Sequence, residues 1–184
     1  MFLFRTFLVS LLIGIIGPGY AVTVNPSTTS YNLLKEVQIF VDKEGNANSQ
    51  DVINHPEKFD FKSTAFQNSE INFGFSKAIY WVKIPLSRST TAPAEWVLEI
   101  PYLGLDKISF YAPNKPEVIS GSLAPMQDRA FYYRFFSFPI TLSNETQNYF
   151  LKIESSYAIT IPLMLFSLAE FNNEQVGDTL IQAL

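Results

Sequence analysis

The chain has 184 residues, the size of one ordinary domain and too short for two comfortable ones. Hydrophobic residues make up 47% of it, aromatic residues 15% and charged residues 16%, enough apolar material for a core, so intrinsic disorder is excluded. A net charge of -4, no cysteine and one histidine exclude a basic nucleic-acid-binding face, a disulfide scaffold, a thiolate nucleophile and any cysteine-ligated or multi-histidine metal centre.

Met1–Ala21 reads as a secretory signal peptide: Arg5 opens it, Phe7–Ile16 is apolar, and Gly19 and Ala21 give the small-residue spacing of a cleavage site. Its apolar run falls short of the roughly 20 residues a bilayer core requires. Export without cysteine fits a bacterial periplasm. Residues 22–32 are rich in Ser, Thr and Asn and read as a flexible lead-in. Val37–Val41 is expected to be a strand, closed by the turn cluster Asp42–Asn46. Asn48 is placed to cap a short helix over Ser49–Asn54, which Pro56 stops.

From Ile71 the texture becomes strands and turns: Ile79–Leu86, Trp96–Ile100, Lys107–Ala112, Glu117–Ser120, Phe131–Leu142, Tyr149–Glu154 and Ile159–Phe166. The even spacing of roughly eight strands, apolar on both parities, predicts an all-β sandwich of two facing sheets over residues 33–171. Beyond it, residues 172–184 turn from polar to apolar at Thr179–Leu184 and read as a linker into a first membrane helix.

His55 precedes a proline in a polar loop, and no Gly-x-Ser-x-Gly elbow accompanies it, so a solvent-exposed role is expected. Glu99 and Glu154 are the candidate carboxylate pair for a glycan-cleaving enzyme, a reading that requires both to face one cleft. Asp42–Asn46 carries oxygen donors but lacks a calcium-loop spacing, so a plain turn is expected, and no metal or other cofactor. Met126–Phe138 stands out more, with Arg129 and Arg134 set among six aromatics. Such a mixture suits either ligand stacking and hydroxyl binding or strand-holding ion pairs, while Phe131, Phe136 and Phe138 are assigned to the core. Trp81 lies on the parity of Lys83, away from Tyr80, Val82 and Ile84, either as a ring platform or packed beneath a loop.

Several spaced segments then fall in a familiar order. They are Val37–Asp42 with Phe59, Gly74-Phe75-Ser76 before Trp81-Val82-Lys83, Trp96–Ile100, and Leu105–Ile108 with Phe110-Tyr111. Arg129 and Arg134 follow ahead of Phe138-Pro139-Ile140, then Tyr149–Ser156 and Ile161-Pro162-Leu163. In this pattern, from about Leu33 to Phe171, the chain resembles the type 2 extracellular sensor domain of bacterial seven-transmembrane receptors with diverse intracellular signalling modules. The resemblance implies a jelly-roll β-sandwich similar to carbohydrate-binding modules, held at the periplasmic side of the inner membrane in the full-length receptor. It implies a small-molecule or carbohydrate ligand, no nucleic acid and no catalysis, with a homodimer as the assembly to look for. Trp81, Arg129 and Arg134 match its motif positions, and Lys83 stands where arginine is common. With Tyr132 these five are the expected ligand-binding residues. The competing readings are a glycan-active sandwich enzyme and a protein-interaction module that contacts another receptor.

Overall fold

Alternation along a few central strands sorts the side chains into a shared interior and two outer faces. The computed structural model describes residues 21–64 and 71–182, with side chains through residue 175. The expected signal peptide therefore lies outside the described residues but for Ala21. In chain order the strands are β1 (Val22–Val24), β2 (Ser30–Asn32), β3 (Gln38–Asp42), β4 (Lys62–Ser63), β5 (Ile71–Phe75), β6 (Ile79–Arg88) and β7 (Glu95–Ile100). They continue with β8 (Lys107–Tyr111), β9 (Val118–Ser120), β10 (Phe136–Thr141), β11 (Gln147–Glu154), β12 (Ala158–Ile161) and β13 (Met164–Ser167). Helix α1 spans Ser49–Asn54 and helix α2 spans Leu168–Gln182.

A seven-stranded sheet runs β4-β3-β6-β11-β8-β9, with β1 beside β6, and a four-stranded sheet runs β10-β7-β13-β2. The chain changes sheet at β6–β7, β7–β8, β9–β10 and β10–β11, wrapping the two layers around each other as the expected all-β sandwich. Between them lie Tyr80, Val82, Ile84 and Leu86 from β6, Trp96, Leu98 and Ile100 from β7, and Tyr149, Leu151 and Ile153 from β11. The expected helix over Ser49–Asn54 is present. The Asn48 side chain caps it by accepting from the backbone N–H groups of Gln50 and Asp51, at 2.9 and 3.2 Å.

Four expectations change. The 22–32 lead-in is structured: β1 pairs in parallel with β6, β2 pairs with β13, and Val24 is wholly buried, so its apolar residues outweigh its polar composition. The strand expected from Phe131 begins at Phe136; residues 131–135 bend over the four-stranded sheet, where Phe131 and Tyr133 meet Phe171. Pro162, which has no N–H for a ladder bond, separates β12 from β13, and β12 pairs with β5 in its own ribbon. The stretch expected to serve as a linker is helical, with α2 continuing the chain directly from β13. No helix among the described residues is long and apolar enough to cross a membrane.

One junction at the edge of the larger sheet is tightly specified. Gly121 has φ of 122°, and a Cβ there would collide with the Asp106 carbonyl oxygen. The Asp106 carboxylate accepts from the Ser156 hydroxyl (2.5 Å) and Ser156 N–H (2.7 Å), with the Ser122 hydroxyl at 3.4 Å. These bonds, the Ser156 hydroxyl foremost, hold its carboxyl below the ordinary 3.8.

Gly121→Ala is expected to lower unfolding stability by about 2 kcal/mol or more, measured by denaturant titration. A depressed carboxyl contributes stability that is complete above its unfolded value and is lost as pH falls through the folded one. Asp106→Asn should therefore reduce the melting temperature at neutral pH. Its deficit should shrink as the pH falls below about 3.8. Parallel melting curves for the two proteins from pH 7 to 3 would contradict this assignment.

Candidate functional site

The outer face of the seven-stranded sheet is built in cross-strand rows. One row runs Phe40, Trp81, Lys152 and Ser109 across β3, β6, β11 and β8; the next runs Gln38, Lys83, Phe150 and Tyr111. Such rows bring side chains on one face within about 5 Å of their neighbours. Trp81, Tyr111 and Phe150, with Val52 from α1, form a second buried cluster, bordered by Phe40, Ile53, Phe59 and Phe61. Trp81 stacks on Tyr111 with centroids 5.8 Å apart and planes 21° apart.

This cluster roofs only part of the face, leaving a cavity of about 810 Å³ beside it. Ser49, Gln50, Ile53 and Asn54 of α1 form one wall, and Ala112–Glu117 form the other. Tyr111, Phe150, Lys107 and Lys152 are on its floor, and Gln147 and Asn148 close one end. A rim of amides and a few fixed charges can bond the hydroxyls of a hydroxylated ligand.

Charges in the cavity are tied together. Glu154 accepts both Lys107, at 3.2 Å, and Lys152, at 3.8 Å, while the Lys152 ammonium also lies 5.7 Å from the Trp81 ring centroid. The Tyr111 hydroxyl donates to Glu117 Oε1 at 2.8 Å. The Ser109 hydroxyl, the Tyr111 hydroxyl and the Lys107 and Lys152 charges hold Glu117 below the usual carboxylate range. Burial, reinforced by Glu117, raises the Tyr111 phenol.

The five residues expected to bind ligand divide between opposite sides of the sandwich. Trp81 is wholly buried under α1, so it has no open ring face; it supports the cavity floor from below. Lys83 shares that face, with its ammonium 5.6 Å from the Phe61 ring centroid, and burial lowers its pKa. Arg129, Tyr132 and Arg134 belong instead to the segment that crosses towards the four-stranded sheet. The Arg129 guanidinium donates to the carbonyls of Arg134 (3.2 Å), Tyr133 (3.3 Å) and Gly121 (3.3 Å), and it covers the Phe136 ring at 4.8 Å. Those bonds make it a strut for the segment. Arg134 lies over Phe135 at 4.5 Å, and Tyr132 is 83% exposed. No single groove joins the five.

The alternative chemistries separate as well. Glu99 stands on the outer face of the four-stranded sheet, with the Ser137 hydroxyl donating to it at 3.3 Å, whereas Glu154 stands on the outer face of the other sheet. The two carboxylates cannot meet in one cleft, as glycoside hydrolysis by this pair requires. His55 is half exposed beside Glu57, 3.5 Å away. The Asp42 carboxylate is occupied by the backbone N–H groups of Gly45, Asn46 and Ala47, a plain turn as expected. Among the described residues no group of His, Asp or Glu side chains could hold a metal ion.

The cavity residues that sequence reasoning missed are Lys107, Tyr111, Glu117, Gln147, Asn148 and Lys152. Their signal is parity: in Tyr149–Glu154 one parity is Tyr, Leu, Ile, and the other is Phe, Lys, Glu. A strand whose off-core parity mixes an aromatic with charges marks a face that is neither pure core nor pure surface.

A search of curated proteins finds no match to this chain. The family model of the 7TMR-DISM extracellular 2 domain matches residues 34–167, nearly the whole sandwich from before β3 to the end of β13. By that match over most of its length, the chain belongs to the 7TMR-DISM extracellular 2 family, the extracellular sensor domains of membrane receptors.

Proposed function

We propose that this domain binds a small organic or carbohydrate ligand on the periplasmic side of the inner membrane, without catalysis, and that the ligand sits on the outer face of the seven-stranded sheet. The observation that carries this reading is the cavity of about 810 Å³ over the Tyr111–Phe150 floor, whose rim is rich in amides. Its size is that of pockets which enclose most of a drug-sized ligand. A protein-interaction module would be better served by a broad apolar patch without a concavity. A glycan-cleaving enzyme would need the carboxylate pair that the sandwich keeps on opposite faces. The Arg129–Arg134 segment enters this reading as support for the fold, because both terminal nitrogens of Arg129 donate to backbone carbonyls.

A ligand that binds only the native state, present at 100 times its dissociation constant, raises stability by about 2.7 kcal/mol, or several degrees in melting temperature. Screening the full chain against sugars and small organic acids by thermal shift should yield such a ligand. Gln50→Trp, which fills the cavity from α1, should weaken its binding at least about tenfold, a cost of about 1.4 kcal/mol, and leave the ligand-free melting temperature within a degree or two. Tyr132→Ala should leave binding unchanged. A ligand whose affinity is insensitive to Gln50→Trp but falls with Tyr132→Ala would place the site elsewhere.

A further inference from the structure

The cavity differs in charge from the rest of the protein. The chain carries 13 Lys+Arg against 17 Asp+Glu, yet this cavity is lined by Lys107, Lys115 and Lys152 with Glu117 as its one acidic side chain. Glu154, just outside the lining, pairs with Lys107 and Lys152, and both lysine charges also act on Glu117, so these two carboxylates balance these two ammoniums. Glu117 is engaged by the Tyr111 hydroxyl. Lys115 stands exposed on the rim, and among the described residues it forms no ion pair. Positive charge therefore remains for whatever occupies the space.

The space also continues. Lys107 lines a second cavity of about 490 Å³ on the same face, where Lys43 and Lys77 are balanced by Glu44, Asp106 and Glu154 beside Ser155 and Ser156, so the unpaired positive charge belongs to the first cavity. The two cavities abut at the Lys107–Glu154 pair and follow the direction of β8 and β11. A single sugar ring would leave most of this groove empty, whereas a short chain of rings would follow it.

We propose that the ligand is a short acidic oligosaccharide, laid along β8 and β11, with a sugar carboxylate held by Lys152 and Lys115. This rests on the outer-face site proposed above and adds the ligand's charge and length. The amides of Gln50, Asn54, Gln147 and Asn148 meet ring hydroxyls. A lysine ammonium suits a carboxylate that varies in orientation, because it acts as a point charge without the planar demand of arginine. Lys152 is the stronger anchor, its side chain 19% exposed, and partial burial limits screening by salt.

The test is calorimetric titration of the intact chain with trimers of galacturonic and glucuronic acid, each paired with its carboxyl methyl ester, which keeps the sugar and linkage and removes the charge. At least one acid trimer is expected to bind about tenfold or more tightly than its ester, with affinity falling as salt is raised. Lys115→Gln and Lys152→Gln should each lower affinity for the acid about tenfold and leave the ester unaffected. Lys115 is on the rim and outside the core, so its variant carries the test even where Lys152→Gln does not fold. Equal binding of acid and ester, abolished in both cases by Gln50→Trp, would overturn the charge inference while leaving the site in place. Binding that persists in Gln50→Trp, or binding of neither acid trimer nor ester, would overturn the proposal itself.

Discussion

Strand β11 is the constraint on which the rest depends. It lies between β6 and β8, and its alternation sends Tyr149, Leu151 and Ile153 into the sandwich and Phe150, Lys152 and Glu154 to the outside. One register therefore fixes both the core and the cavity floor. Lys152 is opposite Trp81 on one side and Ser109 on the other; Phe150 is opposite Lys83 and Tyr111. A slip of one residue would exchange the two sets, placing Lys152 and Glu154 in the apolar interior, at a cost no local adjustment could recover.

The two outer faces are used in different ways. On the seven-stranded sheet, α1 and the segment through Phe61 cover Trp81 and Phe150, burying aromatic surface worth on the order of 2–3 kcal/mol per ring. That roof stops short of β8, and its edge becomes the cavity wall. On the four-stranded sheet, Phe131 and Tyr133 close over Val97, Phe166 and Phe171, and Arg129 ties the segment to Gly121. Arg129 and the α2 aromatic thus hold one structural unit together, and its far end joins the Asp106–Ser156 junction beside the second cavity.

Much of this was legible in the sequence because it follows from alternation and capping. The parity of Ile79–Leu86 separates Tyr80, Val82 and Ile84 from Trp81 and Lys83, as the structure does. Asn48 and Pro56 bracket α1, since an Asx cap and a pre-proline stop are local rules. What was not legible depends on distant partners. Val22–Val24 gained order from a parallel edge on β6, which no local pattern announces. The arginines beside aromatics in Met126–Phe138 have the composition of a binding site, yet both terminal nitrogens of Arg129 donate to carbonyls of its own segment and of Gly121. Composition shows which side chains could bind a ligand; only the tertiary fold shows which still have donors facing open space. Lys152 is the converse case, an unremarked strand lysine that the register sets between Trp81 and Ser109 on a cavity floor.

The central claim is that ligand meets the outer face of the seven-stranded sheet and that the arginine–aromatic segment supports the opposite face. Backbone amide chemical-shift mapping of the intact chain, with a saturating ligand chosen for its stabilising effect, tests it most directly. The account predicts perturbations concentrated at Ser49–Asn54, Lys107–Glu117 and Gln147–Lys152, with little change at Met126–Phe136. Perturbations centred on Met126–Phe136, with the α1 and β11 amides unmoved, would contradict it.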